Sequence, residues 1–131
     1  MKNGIIGPTE DQEQIALFRW ADCLSGAHPE LRTLFHIPNG GYRTPVEAAR
    51  FKAMGVKAGV PDIFLPVARK GYHGLFIEMK RLRGGRLSDA QRGWIEALKR
   101  CGYRAEVCHG WEAASEVILT YLTGRGGNDD G

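Results

Sequence analysis

The stretch from Pro61 to Lys80 constrains this chain more than any other part of it. Asp62-Ile63-Phe64-Leu65-Pro66 is a short apolar run bracketed by prolines, and Leu75-Phe76-Ile77-Glu78-Met79-Lys80 is a second. Lys70-Gly71-Tyr72-His73-Gly74 lies between them with turn chemistry, so the two runs read as the strands of a hairpin. Residues i and i+2 of a strand leave the same face, which sets Glu78 beside Lys80 and turns Ile77 and Met79 the other way. Antiparallel pairing brings the start of one strand to the end of the next, so Asp62 should meet Glu78 with Lys80 adjoining. Two carboxylates a few ångströms apart repel unless a divalent cation lies between them. A Mg²⁺ held by one or two carboxylates keeps positions open for water and a phosphate oxygen, which phosphodiester hydrolysis requires. The competing interpretation makes Glu78 and Lys80 the solvated side of an edge strand and Asp62 a turn residue after proline.

The rest of the chain fits around that hairpin. Thr9 caps a first helix whose Gln14, Leu17, Phe18, Ala21 and Leu24 follow the 3.6-residue period, and Gly26 with His28-Pro29 stops it. Leu34-Phe35-His36-Ile37 reads as a short strand ended by Pro38-Asn39-Gly40-Gly41. Thr44-Pro45 with Glu47 opens a second helix running to about Met54, where Gly55 closes it. Ser88 caps a third helix with an apolar stripe of Ala90, Trp94, Ile95, Ala97 and Leu98, expected to be core, ending at Cys101-Gly102. Tyr103 to Cys108 alternates as a strand, and Trp111 to Leu122 is a last amphipathic helix. The order helix, strand, helix, strand, strand, helix, strand, helix predicts an α/β fold with a central mixed sheet flanked by helices.

Charge narrows the partner. The net charge is only +3, but residues 43–104 hold fourteen Lys and Arg against five Asp and Glu, and both flanks are acidic. A basic block between acidic ends is what a surface meeting phosphates needs, although a solvated basic face has the same composition. Three cysteines cannot all pair, so a secreted disulfide scaffold is excluded. No apolar run approaches the roughly 20 residues that span a bilayer, so a soluble protein without a membrane partner is expected. Cys101, Cys108 and His109, with His28, His36 and His73, lack the spacing of a zinc site and read as core cysteines and surface histidines. Arg83-Gly84-Gly85-Arg86 lacks the Walker spacing and reads as a turn touching a DNA backbone. Tyr42-Arg43 is either a nucleic-acid grip or an exposed loop tip.

Pro61-Asp62 followed by Glu78-Met79-Lys80 resembles the PD-(D/E)xK signature of the restriction-endonuclease-like nucleases. The wider string resembles one branch, the virus-type replication-repair nuclease (VRR-NUC) domain. It matches through Ile37 to Gly41, Lys52 to Asp62, Leu75 to Lys80, Leu87 to Trp94 and Gly102-Tyr103. The resemblance covers about residues 8–122, with 1–7 as a lead-in and 123–131 as a polar tail. It implies a restriction-endonuclease-like core and a Mg²⁺- or Mn²⁺-dependent phosphodiesterase. Asp62 and Glu78 match the metal ligands, the Met79 carbonyl an expected backbone ligand, Lys80 the catalytic lysine and Gln91 the helix glutamine facing the site. The family also uses a first-helix glutamate, here Glu10 or, one turn on, Glu13; Glu10 is preferred because Gln14 follows it by four.

The function expected is a metal-dependent DNA endonuclease, structure-selective in the manner of a Holliday-junction resolvase and working in repair, replication or recombination. Branched DNA is the expected partner, Arg43, Lys52, Lys57, Arg81, Arg83 and Arg86 its expected contacts, and a homodimer the expected assembly, since symmetric cutting needs two sites. A cytoplasmic location, in a bacterium or a phage-infected host, goes with that reading. The alternative is a nucleic-acid-binding protein of the same fold that does not cut.

Overall fold

The computed structural model describes residues 7–42 and 44–124. Helix α1 (Glu10–Leu24) is opened by a capping box in which Thr9 and Gln12 exchange side-chain and backbone hydrogen bonds. A short 3₁₀ turn, Pro29–Thr33, follows and leads into β1 (Phe35–His36). Helix α2 (Pro45–Ala53) starts where Thr44 Oγ1 accepts the Glu47 N–H. Then come β2 (Ile63–Leu65), β3 (Leu75–Lys80), α3 (Asp89–Arg100), β4 (Arg104–His109) and α4 (Trp111–Thr123). The element order matches the sequence expectation, with two additions. The 3₁₀ turn was not foreseen, and α4 includes Thr123, one residue into the expected tail, with Gly124 as its left-handed cap.

The sheet order is β1-β2-β3-β4, antiparallel across the first three strands and parallel between β3 and β4. The hairpin is therefore observed, with Ile63 opposite Ile77, Phe64 opposite Phe76 and Leu65 opposite Leu75. One face carries Ile63, Leu65, Leu75, Ile77, Met79 and Cys108 into a core with Leu17 and Ala21 of α1 and Ala114, Ile118 and Tyr121 of α4. Burying each large aliphatic side chain there contributes about 1.5–3 kcal/mol, so this layer is what fixes the sheet. Helix α3 lies across the other face, where it reaches the outward side of β3 and packs on β4.

Two expectations about burial need correction. Trp94 is half-buried rather than core, lining a shallow apolar depression with Ala58, Ala90, Gly93 and Ala97, and only Ile95 of α3 is fully buried. The sheet has four strands, and α3 covers mainly the β4 side, so part of its apolar stripe faces outward. Cys101, expected in the core, is exposed, whereas Cys108 is core as expected. Burial pushes the Cys108 thiol up to about 12, with the Glu106 charge adding to it, so it stays protonated and unreactive. Among the described residues no helix is long and apolar enough to cross a membrane.

Candidate active site

The hairpin register fixes the site before any side chain is considered. Continuing the Ile63–Ile77 pairing by one step sets Asp62 opposite Glu78, and by two sets Pro61 opposite Met79. Pro61 is fully buried and has no N–H, so the ladder cannot continue as a ladder. The Met79 N–H instead donates to Asp62 Oδ2 at 2.8 Å, which locks that carboxylate against the end of β3. The N–H and C=O of one strand residue leave toward the same edge, so the Met79 carbonyl faces proline and receives no ladder donor from it. The Asp62 main chain is held as firmly, its carbonyl accepting from Ile37 N at 2.6 Å and His36 Nδ1 at 2.9 Å.

Glu78 and Lys80 share the face opposite the core, as strand alternation requires, and both are buried, at 2% and 6% exposed. Gln91 of α3 ties them together. Its Nε2 donates to Glu78 Oε2 at 2.9 Å while its Oε1 accepts from Lys80 Nζ at 3.1 Å. The same Oε1 accepts the Ser88 N–H at 2.9 Å, and Ser88 Oγ accepts the Gln91 N–H at 3.1 Å. The capping box that starts α3 thus also aims the amide into the site. Lys80 Nζ stands 3.7 Å from Glu78 Oε2. Gly85 folds over the lysine stem, where a Cβ would lie 3.1 Å from Lys80 Cβ.

Burial is the largest influence on Glu78 and drives its carboxyl up to about 8. The Asp62 charge and a hydrogen bond with the Asp62 carboxyl add to the rise, Lys80 opposes it, and Glu10 contributes a smaller upward push. Such a pair of crowded, partly desolvated carboxylates wants positive charge. Asp62, Glu78 and the Met79 carbonyl are all hard oxygen donors, a set suited to Mg²⁺ or Mn²⁺. Among the described residues no three His, Cys, Asp or Glu side chains form a metal cluster, so the donor set that fits is two carboxylates and a main-chain oxygen.

The two first-helix glutamates separate cleanly. Glu13 is 3% exposed, and its Oε1 accepts the Trp111 N–H at 2.9 Å at the start of α4. The cap position there is Gly110, which has no side chain to do this, so Glu13 fills the role from a different helix. Glu10 is exposed and acts on Glu78 through its charge. Of the expected DNA contacts, Lys52, Lys57, Arg83 and Arg86 are exposed and Arg81 is half-buried, while Arg43 lies outside the described residues. Tyr42 stacks on Phe51 at 5.3 Å between ring centroids, and the Arg50 guanidinium sits over the same Phe51 ring.

A hairpin that ends in two carboxylates and a lysine, set on a mixed sheet with a helix glutamine bridging them, is the arrangement of the PD-(D/E)xK class. The model of the VRR-NUC domain matches residues 9–112. A solved structure described as a VRR_NUC domain protein is 35% identical, covers 90% of this chain and 91% of its own, and superposes with a TM-score of 0.76. No curated protein matches. The chain belongs to the VRR-NUC family, a family of nuclease type.

Proposed function

We propose that this protein is a Mg²⁺- or Mn²⁺-dependent DNA endonuclease selective for branched DNA, acting as a two-fold dimer in the manner of a junction resolvase. The observation that carries the reading is the half-buried Asp62 beside the buried Glu78 at the hairpin end, with Gln91 bridging Glu78 to the buried Lys80. Asp62, Glu78 and the Met79 carbonyl would hold the ion. When bound, it supplies Lewis-acid polarisation of the scissile phosphate and a more acidic water.

The side chains do the remaining work. Lys80, buried and fixed by Gln91, places a positive charge where negative charge grows on the phosphate. Gln91 orients Glu78 and Lys80 by a hydrogen bond to each, with Lys80 Nζ held 3.7 Å from Glu78 Oε2. Glu10, on the rim, adjusts the charge around Glu78. Arg81, Arg83 and Arg86, in the loop that leaves Lys80, meet the backbone of the bound DNA, and Lys52 and Lys57, with Arg43, are its further contacts. Symmetric cutting of a four-way junction needs two such sites at fixed spacing, which a dimer supplies.

The test is cleavage of labelled linear, flap and four-way-junction DNA with and without Mg²⁺ or Mn²⁺, beside sedimentation of the protein. Cleavage should require the ion and vanish in Asp62→Asn with the fold intact. Undiminished cutting in excess EDTA, or by Asp62→Asn, refutes the reading. Binding without any cutting would favour a nucleic-acid-binding protein of this fold.

A further inference from the structure

Two rungs inward from the carboxylate pair, on the same face of the sheet, the hairpin carries a pair of aromatic rings. Asp62 and Phe64 are i and i+2, as are Phe76 and Glu78, and Phe64 is opposite Phe76. The next strand adds Phe35, opposite Phe64. Phe64 stacks on Phe76 with centroids 4.2 Å apart, and Phe35 meets Phe64 edge-on at 5.8 Å. Tyr103 makes T-shaped contacts with both inner rings. Phe35 is 46% exposed, and Phe64 and Phe76 are only half-buried, so the cluster is open to the side of the sheet that holds the site.

We propose that the exposed Phe35 ring, backed by the stacked Phe64–Phe76 pair, forms a stacking shelf for bases whose faces are uncovered, so that the site selects DNA with interrupted base stacking beside the scissile phosphate. This rests on the nuclease reading and specifies its substrate. Two residues of strand span about 7 Å, close to the reach of one nucleotide, so a base next to a phosphate at Asp62 and Glu78 falls on the shelf. In continuous duplex both faces of every base are covered by neighbours. At a branch, a flap or a nick they are not, and a planar π-face is what an aromatic shelf binds. The surrounding basic block of residues 43–104 supplies the attraction for the backbone that brings the base there. A second copy of the chain lying on the shelf would cover the adjoining carboxylates, and β1 offers it an edge of only two residues.

The experiment measures binding in EDTA to a four-way junction, a flap and a continuous duplex, each with 2-aminopurine at the nucleotide nearest the branch or its equivalent. The unaltered protein should change the probe's fluorescence on the branched DNAs. Phe35→Ala should lower affinity for branched DNA roughly five- to a hundredfold more than for duplex, and Phe35→Trp should restore it. Loss on the flap alone assigns the shelf to unpaired bases; loss on flap and junction assigns it to any exposed base face. Equal losses on all three DNAs, no loss at all, or sedimentation showing that Phe35→Ala splits a dimer, each overturns the proposal. Metal-dependent cleavage of the same DNAs, run in parallel, separates the two readings. No cutting of any DNA refutes the nuclease, whereas cutting without preference for branches refutes only the shelf.

Discussion

Removing the Glu78 charge should stabilise the metal-free protein while destroying its activity. The carboxyl is raised from 4.5 to about 8 in the folded chain, chiefly by burial and then by Asp62. A folded-state value above the unfolded one means a contribution fully present below about pH 4.5 and lost as pH climbs through about 8. At pH 7 the folded carboxyl is mostly protonated and the unfolded one ionised, a difference that costs on the order of 3 kcal/mol and grows toward about 5 kcal/mol above pH 8. Glu78→Gln keeps an oxygen for the Gln91 Nε2 donor and leaves Lys80 its bond to Gln91 Oε1, so the charge is the main thing removed. Thermal melts in EDTA from pH 4 to pH 8.5 read the effect as a difference between the two proteins, because other carboxylates contribute to both. The curves should coincide at the acid end and separate upward through pH 8, Glu78→Gln melting higher by about 10 °C at pH 8. Saturating Mg²⁺ should close the gap from the wild-type side, since an ion that binds only the folded state adds stability by mass action. Parallel melting curves across the range, or a variant less stable at pH 8, would refute the argument that the pair is strained without a cation.

Lys80→Ala should slow single-turnover cleavage about 10²–10³-fold, equivalent to ~2–4 kcal/mol of lost transition-state stabilisation; undiminished turnover would remove the lysine from the chemistry. Arg81, Arg83 and Arg86 replaced together by Ala should weaken binding to every sequence alike and flatten the salt dependence by up to about three phosphate contacts, read by titrations at several salt concentrations. Glu13→Ala should lower stability by about 1–2 kcal/mol in urea because it uncaps α4, whereas Glu10→Gln should leave stability alone and change activity or metal affinity. Gly59→Ala should destabilise strongly, because φ is +92° there and the added Cβ would sit 2.6 Å from the Ala90 carbonyl carbon. Gly93→Ala, in α3 with open space around it, should instead raise the melting temperature.

What the sequence made legible was local. The caps at Thr9, Thr44 and Ser88, the turn before Leu75 and the alternation in Leu75–Lys80 are written in neighbouring residues, and each element starts where its cap places it. What it left open depends on which distant element covers a face. Glu10 and Glu13 lie on one helical stripe and look equivalent by spacing; they diverge because α4 begins beside Glu13 with a glycine that cannot cap itself. Trp94 sits in an apolar stripe, yet how much of α3 is covered is decided by the width of the sheet beneath it. The double duty of Gln91 was half legible, since the Ser88-x-x-Gln91 spacing announces a capping box but not that β3 delivers Lys80 and Glu78 to the same amide.

The Pro-Asp pair has a physical role that its brevity hides. Were position 61 any other residue, its N–H could pair with the Met79 carbonyl, the ladder could extend, and Asp62 would be one more mid-strand side chain free to choose its rotamer. Proline withholds that donor, and the Asp62 carboxylate takes over the Met79 N–H as the strand would have done. One missing hydrogen therefore does three things at once: it ends the hairpin, fixes an anionic oxygen at a set height beside Glu78, and leaves a main-chain carbonyl turned to the same edge. Glu78 needs no such device because the rung itself places it, and Lys80 follows two residues on along the same face. The site is where regular pairing is made to fail, on a sheet whose other face is packed too well to move.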